Sequence, residues 1–127
     1  MKHKKPQVEI DTYGEYESWD RESKEIPRIL DIKNEIKALP GTEFGYVLRI
    51  RKGKGEKLTF RIDHPPFNDD TGKIAPPFAG EHYIRTNDYK FFLGDGIWEP
   101  VEDKKGEWIL TTFHHNKIIA KMAFTLV

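Results

Sequence analysis

The chain has no cysteine, which excludes a disulfide framework, a thiolate nucleophile and any zinc or iron–sulfur site held by thiolates. It has no excess of either charge. Lys plus Arg and Asp plus Glu number 21 each and are interspersed, so no overall field draws in a polyanion or an acidic membrane. Neither nucleic acid nor a membrane is therefore an expected partner. It also lacks a long apolar run. The basic start Met1-Lys2-His3-Lys4-Lys5-Pro6 passes into alternating polarity, unlike a signal peptide or a membrane span, and the expected location is the cytoplasm. No cofactor is expected, and chemistry would fall to His, carboxylates or hydroxyls.

What the chain does have is aromatic bulk. At 127 residues it can build one core and not two, and no repeat, low-complexity tract or linker divides it, so residues 1–127 read as a single domain. Only 37% of residues are apolar, but eight Phe, five Tyr and three Trp bury much area per side chain, and the core should be aromatic-rich.

Alternation of apolar and polar residues is the main structural signal. Phe44, Tyr46, Leu48 and Ile50 face one way with Arg49 and Arg51 opposite. The turn Gly53-Lys54-Gly55 follows, and Leu58, Phe60 and Ile62 alternate beyond it, which reads as a β-hairpin. Trp108, Leu110 and Thr112 run into His114-His115-Asn116, and Ile118, Ala120, Met122, Phe124 and Leu126 return. Because its other face carries Ile109, Phe113, Ile119 and Ala123, this second hairpin is expected in the middle of its sheet. Val8 and Ile10 open an early strand whose alternation slips near Gly14. A further strand is expected over Leu30, Ile32 and Ile36 rather than a helix, since Pro27 and Pro40 leave little room for one. Asp20 to Glu25 reads as a charged loop or a single helical turn, and His82, Ile84 and Thr86 as one more strand. The total of about seven strands without a crossover helix implies an all-β fold, a two-sheet antiparallel sandwich.

Several strings along the chain carry a resemblance: Tyr13-Gly14 with Tyr16 and Trp19, Glu43-Phe44-Gly45, Lys52-Gly53-Lys54-Gly55 and His64-Pro65. Pro76-Pro77-Phe78 with Gly80-Glu81, Asn87-Asp88-Tyr89, Leu93-Gly94-Asp95 and Ile97-Trp98-Glu99-Pro100 extend it, and Gly106, Trp108, Ile119-Ala120 and Phe124 close it. Over nearly its whole length the chain resembles the family catalogued as domain of unknown function 3859. That resemblance implies an immunoglobulin-like sandwich and carries over no catalytic residue or ligand.

The least scaffold-like stretch runs from Asp63 to Pro100. Pro65-Pro66-Phe67 and Pro76-Pro77-Phe78 repeat one unit, and consecutive prolines hold a segment extended at little entropic cost. Phe67, Phe78, Tyr89, Phe92 and Trp98 are accordingly the expected binding surface of a non-catalytic module that presents this loop to a protein partner or to an identical subunit. Asp63 and His64 precede the loop and Glu81 and His82 follow it, so the alternative is a small metal-binding or acid–base enzyme built on those four. Asn68-Asp69-Asp70-Thr71-Gly72 has the wrong spacing for a calcium loop and reads as an Asp-Thr-Gly turn. His114 and His115 are adjacent at a hairpin tip, where neighbours point opposite ways, and are not expected to chelate one ion; no metal site is expected. The Ser and Thr residues lack the setting of a nucleophile elbow.

Overall fold

In the computed structural model, which describes residues 6–22 and 25–127, nine strands form two facing sheets. The first sheet has the order β2 (Ile29–Asp31), β1 (Gln7–Tyr16), β4 (Glu43–Arg51), β7 (Asp88–Gly96). The second has the order β3 (Glu35–Ile36), β9 (Lys117–Leu126), β8 (Gly106–His114), β5 (Lys57–Asp63), β6 (Phe78–Tyr83). Among the described residues the only helical element is a 3-10 turn at Glu102–Lys104. The basic start Met1 to Lys5, and Ser23 and Lys24 of the charged loop, lie outside the described residues.

The expected all-β sandwich is present, with nine strands instead of about seven. The segment around Leu30 to Ile36 divides in two, and β7 is a strand in its own right. Leu30 and Ile32 stay 56% and 62% exposed; of the three apolar residues in that segment only Ile36 reaches the core. Between them the chain changes sheets. Asn34 fixes the change by donating its side-chain amide to Ala123 O and accepting from Thr125 N, and β3 then pairs parallel with β9, the one departure from an antiparallel architecture among the described strands.

The first expected hairpin is not one. β4 pairs with β1 and β7, whereas β5 pairs with β6 and β8, so the Gly53 turn is an arch that carries the chain from one sheet to the other. Its backbone is held by the connection between β6 and β7: Lys52 N donates to Asn87 O, and Gly55 N to Ile84 O. Gly53 is buried, and a Cβ there would lie 3.0–3.1 Å from side-chain carbons of Ile84, Ile50 and Pro6, which would have to give by a few tenths of an ångström. The apolar faces of β4 and β5 therefore meet across the interior, with Phe44 set edge-on to Trp108 and Phe124.

The second hairpin is as expected. β8 and β9 pair from Gly106↔Leu126 to His114↔Lys117, and His115 and Asn116 take the positive φ of 49° and 63° that a tight turn demands. Both strands are central in the sheet. The expected slip in β1 falls at Asp11, three residues before Gly14. It reverses the parity of the strand, so Val8 and Tyr13 face the main core while Tyr16 faces outward with Val47 and Phe92. Trp19, Ile26 and Ile29 cover this second, smaller cluster, which is why every residue from Glu43 to Leu48 is buried. The expected strand at His82 to Thr86 lies upstream, at Phe78–Tyr83; Ile84 leaves the ladder but stays buried because Ile84 N donates to Glu56 O.

Candidate functional site

The four polar residues flanking the proline-rich loop are not brought together. Asp63 pairs with Arg61 at 3.0 Å and Glu81 with Lys57 at 3.3 Å, both at the surface. In β6, Phe78 stands opposite Ile62 and His82 opposite Leu58, so His82 lies four residues, roughly 13 Å, from the end of the strand where His64 sits. Each ring nitrogen of His64 lies 2.8 Å from a carbonyl oxygen, of Pro65 and of Pro76, and neither is open to an ion. His64 thus closes the loop by tying its two proline arms. Between those arms Asp69 Oδ1 accepts from Thr71 N, the Thr71 hydroxyl and Lys73 N, which is the expected turn.

The two Pro-Pro-Phe units converge on one corner. Phe67 is only 6% exposed, which removes it from the expected binding surface: His64 stacks on it at 4.2 Å, and Trp98 meets it edge-on at 5.5 Å. Phe78 is half-buried against His64 and Trp98, and Trp98 alone remains substantially open at 39%. The cation in this corner is the protein's own. Lys104, 2% exposed, sets its Nζ 4.7 Å from the Phe67 ring and 4.6 Å from the Trp98 ring, and donates to Pro100 O and Asp103 Oδ1. Nothing in Glu102-Asp103-Lys104-Lys105 announces a buried lysine, since such a charged run reads as a solvated turn. With its pocket already filled, the corner is a plug closing one end of the sandwich.

Tyr89 and Phe92 lie elsewhere, along a groove of about 570 Å³ beside β7. Its walls come from the loop after β1 (Trp19, Arg21, Ile26), from the end of β6 and the turn after it (His82, Arg85), and from β7 itself. Phe92 is buried and so leaves the expected binding surface: Tyr16 and Trp19 pack edge-on against its ring at 4.9 and 5.0 Å. The covering loop is fastened by Trp19 Nε1 donating to Glu25 O, and by a bidentate pairing of Arg21 with the buried carboxylate of Glu43. On the opposite wall His82 Nε2 lies 2.6 Å from the Tyr89 hydroxyl, and burial, then the Arg85 charge, hold its pKa below the usual value. Arg85 makes no ion pair among the described residues.

The groove follows a sheet edge that pairs with no further strand among the described residues. Lys52 N donates to Asn87 O at one end of β7 and Ile97 N to Thr42 O at the other, and the register between is unbroken. Odd-numbered residues of β7 therefore bond to β4, and Lys90, Phe92 and Gly94 turn their backbone groups outward. The other sheet-edge strands are shorter: three residues in β2, two in β3, six in β6, against nine in β7.

Near β7's far end Asp95 accepts from Gly96 N, and burial pushes its pKa up from 3.8 to about 6, partly offset by that bond and by Arg21. A raised folded-state pKa means the carboxylate costs stability above about pH 6 and costs little below about pH 4. Asp95→Asn keeps the acceptor and removes the charge, so it is expected to stabilise the fold at pH 8 by up to about 3 kcal/mol and to be near neutral at pH 4. Urea denaturation of both proteins at the two pH values checks this; equal differences at both would refute it.

The reading of His114 and His115 is corrected. The left-handed φ of 49° at His115 breaks the strand's alternation and swings its ring back, so both Nε2 atoms approach Glu56 Oε1, at 3.0 and 3.3 Å. The two rings stand 4.1 Å apart.

A family model described as Domain of unknown function (DUF3859) matches residues 4–126. No curated protein matches the sequence. Among solved structures the chain is similar to an immunoglobulin-like protein from Pseudomonas aeruginosa, with 24% identity and a TM-score of 0.76 over 95% of this chain and 97% of that one. The immunoglobulin-like sandwich is thereby shown, and at that identity the likeness speaks for the fold alone.

Proposed function

As the chain belongs to the DUF3859 family, whose description names no activity, its role must be read from its own surfaces, and we propose a non-catalytic interaction module that takes up an extended peptide of a protein partner along β7. One observation carries this reading: the longest edge strand opens its backbone into a groove with aromatic walls. Natural sheets shorten, cover or twist their edges to prevent stray pairing, and β7 is long and regular. Main-chain bonds to Lys90, Phe92 and Gly94 supply affinity in this mode, while alternate side chains of the guest fill pockets. The pocket beside Tyr89, Phe91 and Ile26 suits an aromatic or branched side chain, and Arg85, which has no ion pair among the described residues, suits an acidic one. Trp98 contributes from the corner beyond the far end of the same strand.

Panning a displayed library of extended peptides against the chain is expected to enrich sequences that alternate apolar residues and include an acidic one. Lys90→Pro removes one outward N–H without touching the ladder to β4 and should weaken the selected peptides by about 10-fold, the loss of one buried hydrogen bond. Failure to enrich any such sequence, or equal binding by the proline variant, counts against the proposal. A wild-type dimer that Lys90→Pro dissociates would instead make a second copy of the chain the guest.

A further inference from the structure

Two segments distant in the chain meet at the end of the sandwich opposite the Trp98 corner. Glu56 stands at the end of the arch between β4 and β5, His114 is the last residue of β8, and His115 is in the turn to β9. From these we infer a binding site for one divalent first-row transition ion of the zinc class, with Glu56, His114 and His115 as its protein ligands.

The donor atoms lie within 4.8 Å of one another, with 3.0 and 3.3 Å separating the two imidazole nitrogens from the shared carboxylate oxygen. A tetrahedral ion with bonds of about 2.1 Å separates its ligands by roughly 3.4 Å, so only small ring movements admit it. His114 is buried at 9% exposure at the end of the β8 ladder, and His115 is 55% exposed, so an ion can reach the cluster from solvent. Both imidazoles already point their Nε2 atoms at one oxygen of Glu56, so the three donors converge on one place before any ion arrives. Two imidazoles and one carboxylate favour Zn²⁺, Ni²⁺, Cu²⁺ or Co²⁺ over Mg²⁺ and Ca²⁺, which require oxygen shells. Three protein ligands leave one position for water or an added group. The ion would tie the sheet-crossing arch to the β8–β9 turn and brace that end of the fold.

The test uses the full chain free of any affinity tag, titrated with ZnCl2 and CoCl2, with MgCl2 as the oxygen-seeking control. Variants are Glu56→Gln and His115→Asn, the latter because asparagine tolerates the left-handed backbone. The wild type should bind one equivalent of Zn²⁺, show the visible bands of low-coordinate Co²⁺, and ignore Mg²⁺. A hundredfold excess over Kd should raise Tm by about 8 °C. Each variant should lose roughly 100-fold or more in affinity while folding normally without metal. No binding by the wild type, or equal Zn²⁺ affinity in all three proteins, overturns the assignment.

Discussion

Gly45→Ala is expected to destabilise the fold by about 4 kcal/mol or more, the sum of overpacking against fixed backbone and of left-handed strain. Gly14, Gly45 and Gly94 stand side by side in the register of β1, β4 and β7. A Cβ on Gly45 would fall on the carbonyl oxygen of Leu93 and the Cα of Gly94, and the φ of 153° is one that side-chain-bearing residues rarely adopt. Both obstacles are main chain, so neither can rotate aside. Gly72→Ala separates the two contributions: its φ is 81° but nothing lies within 4 Å of the added carbon, and only the strain of about 1–2 kcal/mol should appear. Urea midpoints of the two variants would decide the matter. A Gly45→Ala protein as stable as Gly72→Ala would show that the first sheet relaxes where its close approach says it cannot.

Trp108→Ala should cost about 3–5 kcal/mol. The indole is fully buried, lies within 5.3 Å of the Phe44 ring and 5.6 Å of His64, and donates from Nε1 to Lys104 O at 2.8 Å. Truncation leaves a cavity between the two sheets and an orphaned carbonyl in the turn that positions Lys104. Trp108→Phe refills most of the volume but not the bond, and should fall between the alanine variant and the wild type. Trp98→Ala, at the open side of the same corner, should cost about 1 kcal/mol. A reversed order of Trp98 and Trp108 in urea denaturation would mean that the corner, not the space between the sheets, holds the fold together.

Much of this was legible in the residues. The alternation from Phe44 to Ile62 and from Trp108 to Leu126 does mark the walls of the interior, since side chains on a strand point to opposite faces with a period of two. The His115-Asn116 turn is local chemistry, and the hairpin it makes was readable for that reason. Pro27 and Pro40 correctly pointed away from a helix between them.

Other features depend on partners far away in the chain. Whether Gly53 closes a hairpin or an arch depends on bonds from Asn87 and Ile84, and no local pattern carries that information. Phe67 reads as a platform until His64 closes over it, and Phe92 as a patch until the loop at Trp19 covers it. Lys104 looks solvated until two aromatic rings arrive from either side. The order of residues thus settles which faces are apolar, because that is set by each residue and its immediate neighbours. Which strands become neighbours, which edge stays open at β7 and which histidines meet Glu56 are settled by long-range pairing, whose energy exists only once distant segments are already in contact.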